Sequence, residues 1–395
     1  MSEKIPKGWK WVKLGEVAEI VKDIVNPNEF DDLNYIGLEH IGQENLRIIS
    51  IGKSREVNST KYLFKPNDIL FGKLRPYFRK VVKPKFNGIC STDIWVFRAK
   101  QGYDQNYLYY FLANWDFVNL ASSGEGGTRM PRADWNYLKQ TEWIFPPLPE
   151  QKAIAEVLSS IDDKIDLLHR QNKTLEEMAM TLFRQWFMGD NISNDIIELG
   201  SLVDIISGIS YKSTDLNPST TAMVSLKCFD RNGEFRIDGF KEFTGNYKEQ
   251  HIVKEGDLIV AHTDITQDAE VIGNPAIVIS NPKYTKMVIS MDIVKVIPKV
   301  NWISIEFLYF LMRTREFKGH CEGSANGSTV LHLSKQAIPT FEFKTPKREM
   351  VIEFTKQAKE LLNKTFLNQR QILTLIHLRD TLLPKLMSGE VRVKF

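Results

Sequence analysis

The residues whose types could break or make bonds do not assemble into a working set. Gly52-Lys53-Ser54 matches the end of a phosphate-binding loop, but the position of that motif's first glycine holds Arg47. Adenine methylation calls for an Asp/Asn-Pro-Pro-aromatic tetrapeptide. Asn26-Pro27, Asn217-Pro218, Asn274-Pro275 and Asn281-Pro282 lack the second proline, and Pro146-Pro147 lacks the Asn or Asp before it. Glu316-Phe317-Lys318 and Glu342-Phe343-Lys344 carry the acidic-x-Lys half of a nuclease motif without its Pro-Asp. The histidines show no metal-ligand spacing, and His320-Cys321 stands as an isolated pair. The expectation is a chain with no catalytic residue, no metal and no cofactor of its own.

What remains is contact chemistry. From Ile69 to Thr92 six bases occur without an acid: Lys73, Arg75, Arg79, Lys80, Lys83 and Lys85, with Tyr77 and Phe78 among them. Cations and aromatics on loops held by a sheet suit phosphate contact and base-edge reading. The plainer explanation is a lysine-guarded strand edge. A second feature is the glycine-rich SSGEGGTRMPRADW and its counterpart EGSANGSTVLHLSK. Such a backbone can approach a groove closely, bringing Thr128, Arg129 and Arg132, or Ser328, Thr329 and His332, to bases. An ordinary surface loop would look similar, but its recurrence at one place in two copies favours a shared task.

The elements that must position these residues are written twice. Adding 200 to residues 161–189 superposes Lys164, Leu167, Arg170, Gln171, Thr174, Leu175, Thr181, Leu182 and Gly189 on identical residues. Asp93 in STDIWVF matches Asp292 in SMDIVKV, and Leu14-Gly15 matches Leu199-Gly200. Each copy is a strand-rich globular part with short helices, followed by a long helix. Two copies of this size are domains in their own right rather than a solenoid. The organisation reads as 1–148, first globular domain; 149–189, central helix; 190–345, second globular domain; 346–395, distal helix and tail.

The first long helix opens at Pro149 and Glu150 and runs to Met188 without Gly or Pro, with Gly189 as its stop. It is a helix of roughly 58 Å at about 1.5 Å per residue. Ile154, Leu158, Ile161, Ile165, Leu168, Asn172, Leu175 and Leu182 recur at alternating steps of four and three, a coiled-coil seam with one polar residue to fix register. The second runs from Glu349 to Leu383 and ends at Pro384. Its equivalent seam includes Leu361, Ile372, Leu375 and Leu382, beside a neighbouring apolar stripe of Leu362, Phe366, Leu373, Ile376 and Leu383. Each could be a core helix of its own domain. Length and strict period favour pairing of the two as an antiparallel coiled coil about a pseudo-twofold. The fold class is α+β: two mixed α/β domains separated by two long helices.

Composition agrees with a folded chain. The 395 residues are 43% hydrophobic and 26% charged, with net charge +3, so a polyanion would have to meet local patches. No run approaches a membrane helix, the start MSEKIPKGWKWVKL has no apolar signal core, and Cys90, Cys228 and Cys321 are far apart. Together these predict a reducing cytoplasm.

In PKGWKWVKLGEVAEI, NDILFGKLRPYFRKV, FPPLPEQKAIAEVLSSIDDKIDLLHRQ, TDITQDAEVIGNPAIV and LRDTLLPKLMSGEVRV the chain resembles the specificity subunit of type I restriction–modification systems. The resemblance covers nearly the whole chain, though the second copy lacks the opening Trp pair and begins NDIIELGSLVDIIS. It implies two target recognition domains, each reading half of a split, asymmetric site in double-stranded DNA, with the helices setting the gap. It implies two methyltransferase subunits that bring S-adenosylmethionine and methylate adenine N6, and a restriction–translocase subunit using ATP and Mg for cleavage. That is a role in host defence. The expected DNA contacts are Lys73, Arg75, Tyr77, Arg79, Lys80, Thr128, Arg129 and Arg132 in the first half. In the second they are His262, Thr263, Asp264, Thr266, Gln267, Ser328, Thr329 and His332. The alternatives are a DNA-binding or architectural protein acting alone, a coiled-coil scaffold, and a self-contained methyltransferase, which the missing tetrapeptide argues against.

Overall fold

The computed structural model describes residues 5–123, 130–189, 194–229, 235–265, 269–327 and 330–394. The chain divides into two compact units. The first takes Met1–Leu168 together with Arg370–Phe395, and the second is His169–Gln369. Each unit therefore contains half of each long helix. A division by position along the chain cannot show this, because the first unit is discontinuous.

In the first unit the opening strand Lys10–Lys13 pairs antiparallel with Glu142–Phe145, the strand that leads into the long helix. A four-stranded antiparallel sheet has the order Ala18–Val21, Ile94–Ala99, Ile69–Gly72, Val81–Val82. A five-stranded sheet runs Ile24–Val25, Lys61–Phe64, Gly88–Cys90, Asn34–Ile36, Gly52–Lys53. The central strand Ile69–Gly72 is buried at every position, as its unbroken apolar run requires. Gln105–Ala113 forms a short helix capped by the Asp104 side chain, and Trp115–Ser122 forms the next.

The second unit follows the same plan. Ile196–Glu198 pairs with Glu342–Lys344, and the four-stranded sheet runs Val203–Ser207, Ile293–Pro298, Leu258–Ala261, Pro275–Ile277. Ser304 caps the helix Ile305–Met312, and Thr314 caps Arg315–Gly323. The protein is α+β. No helix among the described residues is long and apolar enough to cross a membrane.

The long helices span Leu148–Phe187 and Arg348–Ser388. The second runs through Pro384 rather than ending there. Proline removes one backbone donor, but Leu386 and Met387 beyond it are buried in the first unit's core and hold the last turn in place. Gly389, with φ of 74°, terminates it. Within each unit the halves pack antiparallel. Ile154 and Leu158 share a core with Leu383, Leu386 and Met387. Ile161, Ile165 and Leu168 pack with Ile372, and Leu375 lies partly buried at the edge of that cluster. In the second unit Ala179, Met180 and Phe183 meet Val351, Phe354, Ala358 and Leu362.

The buried stripe departs from the expected seam at its far ends. Leu182, Leu361 and Leu382 are only partly buried, while their neighbours Phe183, Leu362 and Leu383 take the interior positions. At these ends the helices pack into the main core of each unit, and Phe183, Leu362 and Leu383 are the residues that enter it.

Asn172 and Asn368 sit fully inside the second unit's helix pair, with Asn368 Nδ2 donating to Asn172 Oδ1 at 2.8 Å. Asn172 Nδ2 finds no acceptor among the described residues. Asn368→Leu alone strands both polar atoms of Asn172 and is expected to destabilise the protein by about 1–3 kcal/mol. The double change Asn172→Leu with Asn368→Leu should recover most of that in urea denaturation.

Candidate nucleic-acid interface

In the first unit the basic loop 73–80 and the segment after the glycine-rich stretch come together. Lys73 N donates to Asp93 O at 2.9 Å, Ala133 N donates to Lys73 O at 2.9 Å, and Arg75 N donates to Pro131 O at 2.8 Å. Leu74 and Arg132 form an antiparallel bridge. Arg132 stays exposed, 3.5 Å from the Asp93 carboxylate. Partial burial lowers the Lys73 pKa, opposed by Asp93. Arg75 adopts a left-handed φ of 51° and its buried Nε finds no acceptor among the described residues. Tyr77 is exposed at the loop tip, edge-on to Phe78.

The second unit builds the same stitch from different residues. His262 N donates to Asp292 O at 2.7 Å, and Leu333 N donates to His262 O at 2.8 Å. Thr263–Asp264 then pairs with Leu331–Leu333, setting Thr263 opposite His332. Asp93 and Asp292, matched in the sequence, hold equivalent places: the backbone carbonyl of each anchors the start of its loop. His332 is exposed, and its Nδ1 lies 3.3 Å from Thr263 Oγ1. His262 lies in a cleft of about 360 Å³ shared with Lys299 and Lys335. Burial lowers the His262 pKa, reinforced by His332 and Lys335.

Comparison with known proteins bears on this pair of stitched loops. A type I restriction modification DNA specificity domain matches residues 6–177. The HindI specificity subunit of Haemophilus influenzae is 21% identical over 97% of this chain and 99% of its own length. The EcoDI specificity subunit of Escherichia coli is 27% identical, over 42% of this chain and 38% of its own. In this the chain is similar to the specificity subunits of type I restriction–modification systems. Its fold agrees with the crystal structure of an S subunit from M. genitalium, with a TM-score of 0.54 at 16% identity, covering 98% of this chain and 97% of that one.

In this chain several expected DNA contacts point inward instead. Arg79 is 2% exposed: Nε donates to Ala113 O at 2.6 Å, the guanidinium pairs with Asp380 at 3.4 Å, and Trp115 covers its face. Its backbone turns left-handed there, φ 48°, which aims the side chain at the helices. Lys80 Nζ donates to Leu38 O, and burial lowers its pKa. Thr263 and Asp264 are buried although their strand lies at the edge of its sheet, beside Leu331–Leu333; Asp264 Oδ2 accepts from Val271 N at 2.6 Å and Ile272 N at 3.1 Å. Lys73, Arg75, Tyr77, Arg132, His262 and His332 remain at least partly exposed on the two loops. Thr128, Arg129, Thr266, Gln267, Ser328 and Thr329 lie outside the described residues.

Other motifs resolve into structure. Gly52-Lys53 is a short strand, and Ser54 Oγ donates to Phe30 O. His320 Nε2 lies 2.7 Å from Ala337 O, and burial pushes the neighbouring Cys321 thiol up to about 12. Sequence reasoning passed over Lys318 as half of a chance tripeptide, although it reaches four oxygens in the loop after Asp264. An acidic-x-Lys spacing gives no hint of backbone oxygens brought close by folding.

Asp264→Ala removes a carboxylate that satisfies two backbone donors, one of them buried. It is expected to cost about 2–3 kcal/mol in urea denaturation and to open the loop before Pro275 to protease.

Proposed function

We propose that each unit reads one half of a split, asymmetric site in double-stranded DNA, and that the long helices, paired as an antiparallel coiled coil about a pseudo-twofold, set the unread gap. The observation that carries this is the recurrent stitch. In both units a backbone loop leaves the central sheet, is pinned by an aspartate carbonyl, and is bonded to the segment that follows the glycine-rich stretch. Lys73, Arg75 and Arg132 give the first loop a positive surface suited to phosphates; His332 gives the second an edge that can donate or accept toward a base. The pseudo-twofold reading is supported by the pairing of Asn172 with Asn368 in one unit and the packing of Leu168 with Ile372 in the other, the positions that an offset of 200 exchanges.

In this proposal the chain carries specificity and its partners carry chemistry. Two methyltransferase subunits bring S-adenosylmethionine, flip an adenine from each half and methylate it. A restriction–translocase subunit brings ATP and Mg for cleavage. Support for two identical partners comes from the helices' outer faces. Leu167 and Leu367, and likewise Met178 and Leu378, are exposed large apolar residues at the same repeat positions. Gln171 and Thr174 recur between them as Gln371 and Thr374, also exposed. The buried positions have diverged (Leu168 against Asn368, Ala179 against Arg379) while this outward stripe has been kept. A retained outer face beside a changed core fits one partner docked twice.

Co-expression with a methyltransferase subunit encoded beside this chain, followed by single-molecule mapping of N6-methyladenine, tests the reading. A split motif with a fixed gap, present only with both proteins, is the expected result; its absence despite co-purification would count against it. Arg132→Ala should weaken binding to the cognate duplex several-fold and lower the slope of log affinity against log salt by about one. Leu167→Asp with Leu367→Asp should abolish co-purification with the methyltransferase subunit while the thermal midpoint stays within a few degrees.

A further inference from the structure

The loop that follows Asp264 returns to the sheet at Pro275–Ile277 through two left-handed residues, Ala269 at φ 51° and Gly273 at φ 77°. A β-carbon on Gly273 would lie 2.6 Å from Cys321 Cβ, so the backbone here is pressed against the helix Arg315–Gly323. Lys318 reaches from that helix into the loop. Its Nζ lies 2.7 Å from Ile272 O, 2.8 Å from Ala269 O, 3.0 Å from Asn274 Oδ1 and 3.3 Å from Glu270 O. An ammonium has three protons to give, and here four oxygens compete for them. Asp264 serves the same loop from its other side by accepting two of its N–H groups. The loop's donors are held by a carboxylate and its acceptors by an ammonium. Burial lowers the Lys318 pKa, with Glu322 and Asp264 acting against it.

The first unit meets the same need with another residue. Arg79 closes the loop 73–80 and sends its guanidinium inward to Ala113 O, Asp380 and the face of Trp115. In both units a cation that is buried or largely so ties the loop to a helix. In one the cation belongs to the helix and in the other to the loop, so superposing the two copies by sequence does not reveal the equivalence.

We propose that Lys318 and Arg79 are positioning residues for DNA recognition: they touch no base, and each fixes the backbone from which its own unit reads its own half-site. This rests on the two-half reading above. Its distinguishing consequence is that the two residues act on opposite halves of the target.

The full chain, with its methyltransferase partner, is first used to map the wild-type motif. Duplexes altered by one base pair in either half are then competed against the cognate duplex. Lys318→Met is expected to lower discrimination in one half by about tenfold and leave the other unchanged, and Arg79→Met to do the reverse. Lys318→Ala should regain discrimination in that half when propylammonium is added, because the free amine can occupy the vacated oxygen cage. Asn274→Leu removes one acceptor while keeping the lysine, and should give a smaller loss in the same half. Equal losses in both halves, or a lower thermal midpoint with discrimination intact, would show a merely structural role and overturn the inference. A wild-type complex that yields no split motif would instead sink the two-half reading itself, before any variant is compared.

Discussion

Leu158 and Leu383 are buried in one core, Phe183 and Phe354 in the other, and in both cases the two residues come from different long helices. Neither unit closes its apolar interior with its own globular segment alone. The sheets present one face to be covered, and half of each helix covers it. This dependence explains why the first unit gathers residues from both ends of the numbering. It also explains why the helix stripe is broader than a coiled-coil seam at its outer parts: there the helices must satisfy a sheet and its short helices as well as each other.

The polar residues inside the helix pairs are distributed unevenly. In the first unit Arg379 donates to Asp162 at 2.9 Å, Tyr110 donates to the same carboxylate at 2.8 Å, and Asp380 links Arg379 to Arg79. The positions that the repeat offset exchanges with Asp162 and Arg379 hold Leu362 and Ala179, and both are buried among apolar side chains. A buried ion pair adds little stability over an apolar one, but a buried arginine without its carboxylate is costly. The network therefore gives the first unit's helix halves an identity that the second unit's halves cannot satisfy.

Much of this was legible before folding was considered. Both helices, the strands Ile69–Gly72 and Ile293–Pro298, and the place of the two loops all followed from periodicity and self-comparison, because those signals are local or repeated. Side-chain direction was less accessible. Arg79 lies in the same basic run as Arg75, yet a left-handed backbone at each sends one to the interior and leaves the other at the surface. Nothing in the order KLRPYFRK separates them. Asp264 was expected to contact DNA with its neighbours His262 and Thr263, but two nearby N–H groups hold its carboxylate inward. The role of Lys318 depends on four oxygens contributed by another segment.

The discontinuous make-up of the first unit bears on the order of events on the ribosome. Residues 169–369 contain every segment of the second unit, so its core can close without the stretch that follows them. The first unit, though translated earlier, must wait for Leu383, Leu386 and Met387, and for Arg392 to reach the buried Glu150 that the Trp9 indole also contacts. Until then its strands stand with an apolar face uncovered, which exposes the half made first to chaperones and proteases for longest. A released chain truncated after Gln369 would carry every segment of the second unit and only part of the first.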